Sequence, residues 1–165
     1  MKDILITNNR DLYFTIVNIA NKCINYLSNL KNIENTVVVF DIDNTLLDKK
    51  YKVIEPIRAV YYYCNMLGIT TAIITSRYGN KKTIEITKKQ LTDAFIGDIG
   101  FFYFSKQGSK NPFVSKEKAR LNIEERGYKI VMSIGDQQYD ITGRSCGLPI
   151  QIPVINEIDF SYIIV

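Results

Sequence analysis

The sequence contains no histidine among its 165 residues. This absence excludes serine–histidine and cysteine–histidine nucleophile systems, and it excludes zinc sites that use histidine ligands. Proton transfer near neutral pH must therefore come from a carboxylate, a lysine, a tyrosine or a metal-bound water.

Cysteine is scarce as well: Cys23, Cys64 and Cys146 are odd in number and widely spaced. No two of them form a CxxC pair, and no zinc-binding spacing is present. We expect reduced thiols in apolar surroundings, with neither a redox nor a metal role.

Long apolar segments are also missing. The first ten residues carry no small-residue cleavage pattern, and no stretch is long enough to span a membrane. We therefore expect a cytoplasmic protein without a membrane partner. The net charge of +4 is mild and its lysines are scattered, which favours a solvated surface over a nucleic-acid-binding patch. The length suits one domain over residues 1–165.

Apolar periodicity predicts a helix over residues 12–30, with Asp11 as its cap, followed by alternating strands and helices. The predicted strands cover 36–41, 69–74, part of 95–104, 129–134 and 148–153. The predicted helices run from Pro56 to Gly68, from Asn80 to about Leu91, from Lys116 (capped by Ser115) to Arg126, and briefly after Asp136.

This alternation predicts an α/β fold: a three-layer, doubly wound, mostly parallel five-stranded sheet. Residues 1–34 would be a helical extension packed on the core, and the apolar tail over 156–165 would pack back on it. In such sheets ligands bind beyond the carboxyl ends of the strands. The polar residues expected there are Asp41, Asp43, Thr75, Ser76, Lys116, Asp136 and Asp140.

The chemistry of this set is consistent. Clustered carboxylates repel one another unless a cation neutralises them, and oxygen ligands favour a hard ion such as Mg²⁺. A metal, a lysine and a hydroxyl suit a transferring phosphoryl group, which a carboxylate can attack to give an aspartyl-phosphate. A second carboxylate two residues away can protonate the leaving oxygen and then activate water.

The motifs resemble those of the haloacid dehalogenase-like (HAD) phosphatase superfamily. Residues 41–45 (DIDNT) resemble its first motif, 73–77 (IITSR) its second, Lys116 its third and 135–140 (GDQQYD) its fourth. Within the superfamily, the sequence is most similar to the class B acid phosphatase and plant vegetative storage protein group, subfamily IIIB. The resemblance covers roughly residues 35–163.

The resemblance implies roles for four acids. Asp41 would be the nucleophile and a metal ligand. Asp43 would be the general acid/base, and its backbone carbonyl would also bind the metal. Asp136 would be a further ligand of Mg²⁺. Asp140 would support the site or serve as an alternative metal ligand, and a merely structural role stays open.

The resemblance also implies that Thr75 and Lys116 hold the phosphate, and Ser76 adds a neighbouring hydroxyl. Two alternatives stay open. Thr75 could instead cap a helix, and Lys116 could be a solvated first-turn lysine, with Lys110 or Lys118 in its place.

Three features leave the substrate open. Only about thirty residues separate Thr45 from Thr75, so a large cap domain is expected to be absent. Gln138 stands where the family often has an aromatic residue. Arg77 could meet the substrate phosphate or pair with a surface acid.

The sequence therefore predicts a Mg²⁺-dependent phosphatase acting on phosphate monoesters of small molecules, with nucleotides among the candidates. A polynucleotide-end or phosphoprotein phosphatase of the same fold is an alternative, and a catalytically silent binding protein is an alternative of another class. A signalling receiver domain fits poorly, because the second acidic cluster follows the fourth strand.

Overall fold

The computed structural model describes residues 2–153, with side chains from residue 10. The helices of this part of the chain are α1 (Lys2–Ser28), α2 (Glu55–Leu67), α3 (Lys81–Asp93), α4 (Pro112–Glu125) and α5 (Gln138–Ile141). Its strands are β1 (Thr36–Phe40), β2 (Thr70–Tyr78), β3 (Phe101–Ser105), β4 (Lys129–Gly135) and β5 (Leu148–Gln151).

The five strands form one sheet in the order β3-β2-β1-β4-β5, and every neighbouring pair is parallel. The α/β prediction with a five-stranded parallel sheet is therefore confirmed. β1 lies at the centre and all of its residues are buried. Its run of threonine, three valines and phenylalanine suits a strand that is covered on both faces.

Alternate residues of β1 face two different layers of helices. Val38 and Phe40 belong to the larger core cluster, with apolar residues of α1, α2 and α3. Val37 and Val39 belong to a second cluster, with residues of α4. The sheet is therefore the middle of three layers, as the sequence predicts.

Helix α1 begins at Lys2, so the predicted start at residue 12 is wrong, and Asp11 lies inside the helix instead of capping it. Neither glycine nor proline interrupts residues 2–28, so no local signal stops the helix at Asp11. Ile16, Cys23 and Leu27 are fully buried in the larger core cluster. No helix of the described residues has the length and apolarity that a membrane crossing requires.

Helix α4 begins four residues before the predicted start. The side chain of Asn111 caps it by accepting hydrogen bonds from the backbone N–H groups of Phe113 and Val114, and Pro112 occupies its first turn. Ser115, the predicted cap, lies within the helix and donates to the carbonyl of Asn111. The earlier Asn-Pro pair is the stronger start signal. Lys116 is thus in the second turn of α4.

The remaining boundaries differ little from the predictions, except that β2 continues to Tyr78. Gly68 ends α2 in a left-handed conformation and Asn80 caps α3, as expected. Only residues 41–54 connect β1 to α2, so there is no cap domain at this position. The predicted packing of 156–165 lies outside the described residues.

The three cysteines are free, as predicted, but their surroundings differ. Cys23 and Cys64 are buried in the core. Cys146 is only half-buried and lies in the loop between α5 and β5, so it is not a core thiol.

Gly147 should be intolerant of a side chain. Its φ is +62°, and a Cβ there would lie 2.7 Å from the backbone nitrogen of Met132 in β4. We expect Gly147→Ala to lower the free energy of unfolding by about 2 kcal/mol or more in urea denaturation. Gly97→Ala is the matched control, since a Cβ at Gly97 meets nothing within 4 Å. Equal stability of the two variants would contradict this packing.

Candidate active site

The candidate site lies where β1 and β4 end side by side. The backbone N–H of Asp41 donates to the carbonyl of Ile134 (3.0 Å), which extends the β1–β4 ladder by one residue. Asp136 follows the last residue of β4, and Asp140 belongs to α5. The carboxylates of Asp41, Asp136 and Asp140 are buried and offer oxygens that all lie within 4.8 Å of one another.

Lys116 enters this cluster from α4. Its Nζ donates to Oδ1 of Asp41 (2.6 Å), to Oδ1 of Asp140 and to the carbonyl of Ile74 (2.9 Å). Only 3% of its surface is exposed, which excludes the solvated-lysine alternative. Lys110 and Lys118, the two stand-ins, are exposed.

Burial dominates the protonation of this cluster. Burial raises the pKa of Asp41 to about 7, while Lys116 lowers it and Asp140 adds to the rise. Burial also raises the pKa of Asp140, against the opposing effect of Lys116. For Lys116 itself, burial favours a lower pKa, but Asp41 and Asp140 together raise it above the usual value. Lys116 is therefore charged, but its single positive charge does not balance the negative charges of the clustered carboxylates.

A divalent cation fits this donor set. Three carboxylates face one ammonium, so the fully ionised cluster carries two uncompensated negative charges. All the facing ligand atoms are oxygens, the type that Mg²⁺ prefers. Asp140 is less available than the others, because its two oxygens already accept from Lys116 and from the backbone N–H of Gln137 (2.9 Å).

Asp140 also shapes the turn after β4. Its side chain and that of Gln137 form a reciprocal capping box at the start of α5. A Cβ on Gly135 would collide with the side chain of Asp140, so only glycine allows this close approach. Asp140 therefore fixes the turn after β4 and also lies within the acidic cluster.

Asp43 is not among the three clustered acids and pairs with Arg77. Nε of Arg77 donates to Oδ2 of Asp43 (2.9 Å) and Nη2 donates to Oδ1 (2.6 Å), which makes the pair bidentate. The carboxyl side chain of Asp43 is 47% exposed, so it lies at the mouth of the site. The sequence leaves open whether Arg77 meets the substrate phosphate or pairs with a surface acid. Arg77 pairs with an acid, and this acid is Asp43, the predicted general acid/base.

Arg77 is held in place by further contacts. Its Nη1 donates to Oγ1 of Thr87 (2.9 Å) and to Oε1 of Gln90 (2.7 Å), both on α3. The exposed ring of Tyr51 lies 5.7 Å from the guanidinium carbon. The sequence does not predict these contacts of Arg77, because they depend on how α3 packs beside the end of β2.

Thr75 and Ser76 lie at the end of β2, on the same edge of the sheet. Thr75 is buried, and its Oγ1 accepts a hydrogen bond from the backbone N–H of Arg77 (3.2 Å). It does not cap α3, because Asn80 does so. Thr75 and Lys116 line the same cavity, whereas Ser76 is exposed.

Arg120 is a fully buried arginine one helical turn after Lys116 that none of the sequence motifs identifies. Its guanidinium donates to four backbone carbonyls of the segment that follows Asp136: those of Tyr139, Asp140, Thr142 and Arg144. Burial lowers the pKa of Arg120. One signal could have identified Arg120. It lies four residues after Lys116, on the helix face that also buries Ala119 and Ile123.

The model of the family described as HAD superfamily, subfamily IIIB (Acid phosphatase) matches residues 48–156. The chain belongs to this family. The match includes Thr75, Lys116, Asp136 and Asp140, while Asp41 and Asp43 precede it. The predicted superfamily and subfamily are therefore confirmed.

The chain is also similar to individual proteins. It is 27% identical to Vegetative storage protein 1 of Arabidopsis thaliana over 89% of this chain, and it spans 61% of that protein's length. Its fold matches the class C acid phosphatase from Bacillus anthracis with a TM-score of 0.60 at 15% identity, over 84% of this chain and 66% of that one. The structure of the Bacillus anthracis enzyme with tungstate bound gives 0.58 at 15% identity, over 82% and 66%.

The buried lysine should stabilise the fold. Lys116→Met leaves Asp41 and Asp140 buried without their cation, and we expect the free energy of unfolding to fall by about 3 kcal/mol in metal-free buffer. Lys118→Met, at an exposed position of the same helix, should change it by less than about 0.5 kcal/mol. Urea denaturation measures both. Indistinguishable midpoints for the two variants would contradict the ion cluster.

Proposed function

We propose that this chain is a phosphatase that hydrolyses phosphate monoesters through an aspartyl-phosphate on Asp41. The main observation behind this proposal is that the carboxylate of Asp41 is buried and accepts a hydrogen bond from Lys116, within the cluster that includes Asp136. Membership of an acid phosphatase family supports the same reaction class. We also infer that residues 1–165 act as one domain, because α1 contributes to the larger core cluster.

The carboxylates of Asp41 and Asp136, with the backbone carbonyl of Asp43, would hold Mg²⁺. When bound, the ion would neutralise negative charge on the phosphoryl oxygens and on the carboxylates. The chain's own groups then complete the phosphate site. Lys116 supplies a positive charge, and Thr75 and Ser76 supply hydroxyl donors at the end of β2.

The reaction has two steps. A carboxylate oxygen of Asp41 attacks phosphorus, the bond between phosphorus and the leaving oxygen breaks, and Asp43 donates its proton to that oxygen. Asp43, now ionised, takes a proton from water, which attacks phosphorus and breaks the bond to Asp41. Inorganic phosphate leaves, and both aspartates return to their starting states.

The pairing of Asp43 with Arg77 orients the proposed general acid/base. Each carboxylate oxygen of Asp43 accepts one hydrogen bond from Arg77 and keeps a second lone pair that can carry the proton for the leaving group. Arg77 in turn donates to Thr87 and Gln90, so the orientation of Asp43 depends on helix α3.

We infer a small phosphorylated molecule as substrate, with nucleotides among the candidates. No cap domain separates β1 from α2 in the described chain, and the half-exposed carboxyl of Asp43 lies at the surface of the site. A phosphate-release screen over nucleotides, sugar phosphates, phosphopeptides and 3′-phosphorylated DNA ranks the classes. Turnover of the polynucleotide end alone would contradict a small-molecule enzyme.

Asp41→Asn should remove the activity. The amide is a poor nucleophile, and we expect kcat for p-nitrophenyl phosphate to fall by about a thousandfold or more. Asp93→Asn is the control, because Asp93 is an exposed residue of α3 that pairs with Lys89. Wild-type turnover by Asp41→Asn would overturn the mechanism. Absence of phosphate release by the wild-type protein from every monoester in the screen would favour a binding protein.

Metal binding can be measured without turnover. We expect Mg²⁺ at a hundred times its dissociation constant to raise the Tm of metal-free protein by roughly 5 °C or more. Asp136→Asn should lose most of this increase, because it removes a ligand, while Asp93→Asn should keep it. Thermal unfolding with and without Mg²⁺ provides the comparison. An unchanged increase in Asp136→Asn would exclude Asp136 from the metal site.

A further inference from the structure

A cavity of about 500 Å³ lies between α4 and the ends of β2 and β3. Thr75 and Lys116 line it, and these are the groups that hold the phosphate under the proposed function. A molecule whose phosphate is bound there can therefore extend into this space. Its walls come from α4, β2 and β3 and the loop after β3, and neither Arg77 nor Asp43 lines it.

A smaller cavity of about 170 Å³ adjoins the first, and both are lined by Ser109 and Ser115. The hydroxyl of Ser109 lies 3.4 Å from that of Ser115. Ser76 and Tyr139 also line the smaller cavity, and the ring of Tyr139 lies 5.4 Å from Nζ of Lys116. We call the two cavities together the α4–β3 groove.

The interior of the groove suits a flat, largely apolar group. Ile74, Tyr103 and Ala119 supply apolar and aromatic surface beside Lys116. The hydroxyl of Tyr103 donates to Oδ1 of Asn122 (2.7 Å), which fixes the ring and leaves the amide N–H groups of Asn122 as donors. An aromatic wall with a few oriented polar groups is typical of small-molecule sites.

The groove also carries positive charge. Lys106, which follows β3, and Lys118 of α4 both line the larger cavity. Both are exposed, and neither forms an ion pair with a described residue. A turn fixes the backbone at Lys106, because the N–H of Ser109 donates to its carbonyl (3.0 Å). No acidic residue of the described chain lines either cavity. Since Lys116 is assigned to the scissile phosphate, Lys106 and Lys118 are the lysines available for a second anion.

We propose that the α4–β3 groove is a leaving-group subsite for phosphate monoesters whose alcohol part carries a ring and a second phosphate. The proposal rests on the proposed function of the neighbouring site and adds the class of substrate. The scissile phosphate binds at Lys116 and Thr75, the ring lies against Tyr103, and the second phosphate lies between Lys106 and Lys118.

Adenosine 3′,5′-bisphosphate is the probe, and adenosine 3′-monophosphate and 5′-monophosphate are its matched partners without the second phosphate. We expect kcat/KM for the bisphosphate to exceed that for the better monophosphate by about tenfold, as two exposed ion pairs allow. The double variant Lys106→Ala/Lys118→Ala should lose this preference. It should turn over p-nitrophenyl phosphate at the wild-type rate within about twofold, since neither lysine touches the scissile phosphate.

The control is Lys88→Ala/Lys129→Ala, which makes the same change in net charge at exposed positions that line neither cavity. It should keep the preference for the bisphosphate. Equal kcat/KM for bisphosphate and monophosphates in the wild-type protein would overturn the subsite. A preference that survives in Lys106→Ala/Lys118→Ala, or that is lost equally in the control, would overturn it too.

Binding to Asp41→Asn separates failure of the subsite from failure of the enzyme. Titration calorimetry with adenosine 3′,5′-bisphosphate in Mg²⁺ should give a dissociation constant about tenfold lower than in the triple variant with both lysines replaced. If the wild-type protein releases no phosphate from any monoester, this binding result would still support the subsite, and only the proposed function would be rejected. Equal binding by both variants would reject the subsite even in an active enzyme.

Discussion

The buried ammonium of Lys116 is the interaction on which the rest of the site depends. It connects three separate parts of the chain: α4, the end of β1 through Asp41, and α5 through Asp140. Each partner alone would be an uncompensated charge in the interior, which is costly. Because a lysine and two carboxylates still leave negative charge beside Asp136, the same arrangement that stabilises the fold leaves a place for a divalent cation.

Helix α4 extends this interaction along the segment that follows β4. Lys116 binds the carboxylate of Asp140, and one turn later Arg120 donates to the backbone carbonyls on either side of it. Glu117 accepts from the backbone N–H of Arg144 (2.8 Å). The acidic segment is therefore held by side chains of one helix, and the start of that helix at Pro112 determines where each of them lies.

Much of the site could be predicted from the sequence, because a parallel sheet brings the ends of its strands to one edge. Asp41 and Asp136 need only the element order and that rule to be placed together, whereas the choice of Lys116 over Lys110 and Lys118 rests on the resemblance to the HAD motifs. The positions that could not be predicted depend on packing. The pairing of Asp43 with Arg77 requires α3 beside β2, and the four carbonyl contacts of Arg120 require the path of a loop.

The wrong boundaries have a different origin. Ser115 and Asp11 are good capping residues, but a cap acts only where no stronger start signal precedes it along the chain. The Asn-Pro pair before Phe113 is that signal for α4. For α1 no residue before Asp11 breaks the helix, so local propensity gives no reason for a start there.

The central claim is that the carboxylate of Asp41 carries the phosphoryl group during turnover. The most direct measurement is acid quenching of the Asp43→Asn variant during turnover, followed by borohydride reduction and peptide mass spectrometry. Since an aspartyl-phosphate is reduced to homoserine, the account predicts homoserine at position 41 only when substrate is present. Phosphate release without modification of Asp41, or with homoserine at another aspartate, would contradict it.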